Sequence, residues 1–100
     1  MNKIEYLLQC LQEECGEVTQ EASKCNRFGK DDKGAGQENN NLEKLEIEVN
    51  DVLAVLELLA KEGLVIEIRP ELIEQKRARL EYWMDYSRRK GTLIENSIIN

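Results

Sequence analysis

Two acidic pairs at i,i+3 spacing, Glu14 with Glu17 and Glu48 with Asp51, are the side chains of this chain best suited to chemistry. Residues three apart on a helix have neighbouring side chains, so on helical segments each pair presents a two-pronged oxygen surface. Hard divalent cations bind such surfaces. Magnesium takes a few carboxylates, keeps several waters and fills its remaining positions with substrate phosphates. Four carboxylates converging without a cation would repel one another and raise their own pKa values. The pairs therefore predict a Mg2+ site, provided that two helices fold back and bring them together. With 20 acidic residues in 100, the same spacing also arises on solvated helix faces, so the elements that carry the pairs decide between the two readings.

From Asn2 to about Cys25, apolar or thiol residues recur at Ile4, Leu8, Leu11, Cys15, Val18, Ala22 and Cys25, three and four apart. This is the period of a helix with one packed seam. Glu14, Glu17 and Glu21 fall on the flank of that seam and border the core. Residues 26–40 contain three glycines and no apolar periodicity, which predicts a loop, and a loop of this length in a compact domain is often functional. Asn40 or Asn41 suits the N-cap of a second helix, running to about Glu62. That helix carries a wide face of Leu42, Leu45, Val49, Val52, Leu53, Leu56 and Leu59 and a second strip of Ile47, Ala54 and Leu58. Two apolar sides predict an element that packs on both. Counted from a turn between Cys25 and Asn41, Glu17 and Glu48 stand at matching heights, roughly 10–16 Å from the hairpin end at about 1.5 Å per residue. Gly63 ends this helix, and Pro70 suits the first turn of a third, closed by Gly91. The stripe of this third helix is Leu72, Ile73, Leu80, Trp83 and Met84, with Trp83 expected in the core.

The fold class is accordingly all-α: a helical hairpin plus a third helix, forming a bundle by oligomerisation. One domain is expected over 1–93, with the loop at 26–40 and a tail over 94–100. A net charge of −6 argues against nucleic acid and anionic membranes as partners, because both need a concentrated positive surface. No apolar run approaches the roughly 20 residues that span a bilayer, and a cytoplasmic location is expected. The three cysteines lack C-x-x-C spacing, and with no histidine most zinc chemistry and all Ser-His or Cys-His nucleophile systems fall away. Cys15 and Cys25 are expected as buried reduced thiols.

The stretch Leu11-Gln12-Glu13-Glu14-Cys15-Gly16-Glu17-Val18, followed after a polar loop by Glu48-Val49-Asn50-Asp51-Val52-Leu53, resembles the MazG-like branch of the all-α nucleoside triphosphate pyrophosphatases. It is similar to that family's E-E-x-x-E and E-x-x-D pattern at every metal position. Phage-encoded members look similar over a longer span, including Ala22-Ser23-Lys24, Arg27-Phe28-Gly29 and the segment from Tyr86-Ser87 to Gly91-Thr92-Leu93. The resemblance implies Mg2+-dependent hydrolysis of a (d)NTP to the monophosphate and pyrophosphate, in helical homo-oligomers, here a homodimer or homotetramer. It also implies Glu14, Glu17, Glu48 and Asp51 as the metal ligands.

Such a reaction needs a cation on the phosphate oxygens, an oriented water and positive charge for the leaving pyrophosphate. Without histidine, one of the first-helix glutamates, Glu14 or Glu17, is the expected catalytic base. Lys24, Arg27 and Lys30 stand where the first helix passes into the loop and are candidates for phosphate binding. Phe28 is a candidate cover for a base. Asn50, beside Asp51, is a weaker candidate for sugar or phosphate. The alternatives are a related pyrophosphohydrolase acting on another phosphate ester, such as phosphoribosyl-ATP or an alarmone, and a non-enzymatic helical interaction module whose acidic faces merely solvate it.

Overall fold

The computed structural model describes residues 1–95, and the expected tail lies almost wholly outside them. Among the described residues the fold is all-α, with α1 at Lys3–Phe28, α2 at Asn41–Lys61 and α3 at Pro70–Lys90. The chain divides into two compact units, Met1–Ile66 and a second from Glu67 onward. The first is an antiparallel hairpin of α1 and α2.

Both helices of the hairpin start on the same device. Asn2 and Asn40 each accept a hydrogen bond from the N–H three residues on, and the Glu5 and Glu43 carboxylates in turn accept one from the cap N–H. These capping boxes satisfy donors that a helix start otherwise leaves unpaired. Glu43, one of many surface acids in the sequence, thus has a structural task. α1 runs three residues beyond Cys25, because nothing before Gly29 breaks it. Gly29 takes φ 97° and donates to the Cys25 carbonyl, a conformation that costs glycine little. The loop proper is therefore 29–40, and Arg27 and Phe28 are helical. It doubles back on α2: Leu42 N–H donates to the Lys30 carbonyl and Asn41 N–H to the Asp32 carbonyl, at 2.9 and 3.0 Å.

The packing line differs from the expected seam. On a wheel of about 100° per residue, positions seven apart drift by only about 20°, and the α1 residues that meet α2 fall in such a row: Leu7, Glu14 and Glu21. The α2 row is Asn41, Glu48 and Val55, joined by Leu59. Leu7, Val55 and Leu59 are buried at the end away from the loop, and Lys3 pairs with Glu62 there at 3.3 Å. Glu21 and Asn41 are buried toward the loop. Of the predicted stripes, Leu59 is in the core and Ile4, Leu8, Leu11 and Leu56 pack partly buried against it, while the rest lie to one side of this row. Cys15, Ala22, Leu42, Val49 and Leu53 are exposed, and Cys10 and Cys25 are half-buried free thiols. The apolar face thus exceeds what one hairpin can cover, and burying Cys15 is not part of this packing.

In the second unit, Pro70 opens α3 at its first position and Gly91, at φ 83°, closes it. None of its residues is buried. Trp83 is 55% exposed and meets Tyr82 and Tyr86 edge-on, at 5.0 and 5.4 Å between ring centres. The sequence expectation of a core tryptophan is corrected, since a single helix has no surface on which to bury its own stripe.

Candidate metal centre

Midway along the hairpin, α1 presents Glu14 and α2 presents Glu48 across the seam. One oxygen from each of Glu14, Glu48 and Asp51 lies within 4.8 Å of the other two. Glu14 and Glu48 are half-buried. Glu48 is held above its ordinary value of 4.5: partial burial is the largest cause, followed by hydrogen bonding to Glu14 and the negative charges of Asp51, Glu14 and Glu17. A bound cation would relieve the same repulsion.

The donor set suits a hard ion. Mg–O bonds of 2.0–2.1 Å set the opposite oxygens of an octahedron about 4.2 Å apart. Oxygens within 4.8 Å need only a small side-chain adjustment to meet that limit. Three carboxylates and no nitrogen or sulfur donor favour Mg2+, Ca2+ or Mn2+ over zinc or copper.

The structure brings together three of the four expected ligands. Glu17 stands one turn from Glu14, exposed and outside the cluster, although its charge still reaches Glu48. The partner of Glu48 is Glu14 rather than Glu17. Heights counted from the helix ends mislead here, because Gly29 to Asp32 run beside the first turn of α2 instead of bridging two level ends.

The candidate substrate residues separate. Lys24 and Phe28 line a cavity of about 350 Å3 with Asp32, Gln37, Asn41 and Lys44. Lys24 also donates to Glu21 at 3.3 Å. Arg27 instead lies over the Phe28 ring at 5.0 Å, and Lys30 pairs with Asp31 at 3.0 Å. Asn50 donates its side-chain amide to the Glu46 carbonyl at 2.8 Å. Lys44 and Asn41 escaped the sequence reading. Their signal was the seven-residue spacing to Asp51 and Glu48, visible only once the contact row is known.

Among the described residues no helix is long and apolar enough to cross a membrane. Compared with known proteins, the chain matches no family model, no curated protein and no solved structure.

Proposed function

We propose that this chain is a MazG-like, Mg2+-dependent nucleoside triphosphate pyrophosphohydrolase that cleaves a (d)NTP to the monophosphate and pyrophosphate. The observation that carries the reading is the convergence of Glu14, Glu48 and Asp51 oxygens within 4.8 Å, from two motifs 30 residues apart that match the spacing of that family. Residues of a merely solvated acidic face have no reason to converge beside an apolar seam.

When bound, Mg2+ supplies charge neutralisation on the phosphate oxygens. Glu14, Glu48 and Asp51 would hold it. The ligands bind as carboxylates, so a raised Glu48 would make loading favour higher pH. Glu17, exposed and without an ion-pair partner among the described residues, would accept a hydrogen bond from water beside the cluster. It takes the proton as the water oxygen bonds to the α-phosphorus. The bond from that phosphorus to the bridging oxygen breaks, and its electron pair leaves with pyrophosphate.

The working form of this reading is a homodimer or homotetramer, in a cytoplasmic setting (that of the host, if the chain is phage-encoded). Cys15, Val18, Val49, Val52 and Leu53 line one apolar groove, while Leu72, Ile73, Leu80 and Met84 are exposed on α3. Helices of this length draw most of their stability from packing an apolar face, and a second copy supplies the missing surface.

Pyrophosphate release from a nucleotide panel, with Mg2+ present and absent, tests the proposal. Release from (d)NTPs that needs Mg2+ and is lost in Glu48→Gln supports it. Turnover restricted to phosphoribosyl-ATP or an alarmone moves the activity to a related phosphate ester. An inert panel with no Mg2+-linked stabilisation leaves a helical interaction module.

A further inference from the structure

We infer that the cavity between the end of α1, the loop and the start of α2 is an anion subsite that seats the pyrophosphate half of a polyphosphate substrate, with Lys24 and Lys44 as its cations. The inference rests on the proposed pyrophosphohydrolase reading and adds where the leaving group is held.

Each helix carries a carboxylate and a lysine seven residues apart: Glu17 with Lys24 on α1, and Asp51 with Lys44 on α2. Seven residues return a side chain to within about 20° of the same direction and advance it about 10 Å along the axis. Both lysines line the same cavity. The hairpin therefore carries acidic groups at mid-length and basic groups two turns nearer the loop, along one side. Mg2+ at the first and phosphate at the second is the arrangement that a metal-bound polyphosphate requires, and the flexible lysine arms take up the remaining distance.

Side chains, not backbone, must bind the anion here. The first N–H groups of α2 are already spent, Asn41 and Leu42 on the loop carbonyls and Glu43 on its cap. The dipole of that helix start still favours negative charge. Asn41 is fixed, its amide donating to the Gly29 carbonyl at 2.9 Å, which ties the cavity wall to the end of α1. Lys24 is aimed by Glu21, a side chain nine-tenths buried, whose other oxygen has no partner among the described residues. Asp32 also lines the cavity and offsets part of its positive charge. At about 350 Å3 the cavity falls within the range of small-ligand sites, about 300–1,000 Å3.

Calorimetric titration of the full chain with inorganic pyrophosphate, in the presence of Mg2+, tests this without turnover. Binding is expected, and Lys24→Gln and Lys44→Gln should each weaken it about tenfold or more, the worth of one charge-assisted contact. Lys24→Arg and Lys44→Arg should stay within a few-fold of the parent, which separates lost charge from lost fold. Lys61→Gln, an equal change in net charge at the far end of α2, should leave affinity unchanged. Unaltered affinity in both glutamine variants, equal weakening by Lys61→Gln, or no pyrophosphate binding by the parent overturns the subsite. A chain that binds pyrophosphate through these lysines but hydrolyses no nucleotide refutes the enzymatic reading alone. Nucleotide turnover with a KM indifferent to both lysines refutes the subsite alone.

Discussion

Glu14 and Glu48 bring carboxylate oxygens within 4.8 Å of each other across the hairpin, and partial burial, followed by hydrogen bonding to Glu14 and the surrounding negative charge, raises Glu48 above its ordinary value of 4.5. Folding has raised this pKa, so the contribution of the group to stability is complete below 4.5 and is lost as pH rises through the raised value. In chelator, thermal melts should show the midpoint of the parent falling relative to that of Glu48→Gln across this window. Saturating Mg2+ should remove the difference. Parallel pH profiles for the two proteins would show that folding does not raise Glu48.

In the proposed reaction Glu14 and Glu17 have different tasks, and two measurements separate them. At 100 times its dissociation constant, Mg2+ should stabilise the parent by about 2.7 kcal/mol. Glu14→Gln and Asp51→Asn should lose most of that gain along with turnover. Glu17→Gln should keep the stabilisation while kcat falls by about 10²–10⁴, the usual range for a general base. Full turnover in both glutamine variants would remove the assignment.

Which parts of this architecture were legible in the sequence follows from which were local. Three helices, the cap at Asn40, Pro70 at the start of α3 and Gly91 after its end all rest on chemistry within a turn or two of one residue, and all are present. The line along which α1 meets α2 is not local. Leu7, Val55 and Glu21 gain burial from the other helix, and nothing in the α1 period distinguishes a contact row at Leu7, Glu14 and Glu21 from the stronger apolar row beside it. The acidic quartet was readable as residue types; that Glu14 rather than Glu17 would face Glu48 depended on how residues 29–32 fold back.

Leu59 is completely buried, whereas Leu53 is 52% exposed on the apolar side of α2. Leu59→Ala should cost about 2–5 kcal/mol by calorimetry, the range for a large core truncation. Leu53→Glu should spare the hairpin and instead reduce the proposed oligomer to monomers by light scattering at micromolar concentration. An oligomer insensitive to Leu53→Glu would place the interface elsewhere.

Asn40 holds the start of α2 through its bond to the Glu43 N–H at 2.8 Å. Asn40→Ala should lower stability by about 1 kcal/mol in denaturant titration, as N-cap losses do. Asn40→Asp should be nearly neutral. A larger loss in the aspartate variant would mean that charge, not capping geometry, rules that position.

The row of Leu7, Glu14 and Glu21 gives the hairpin an uneven grip. Where a coiled coil would continue setting apolar knobs into holes, this one sets like charges, so the middle of the hairpin would be fastened only by a bound proton or ion. Deprived of both, the two rods should breathe first at their waist, with amide exchange quickening around Glu14 and Glu48 while the leucine end stays shut. Under the proposed function the loosest stretch and the working stretch would be the same one, with a dissolved ion as its clasp.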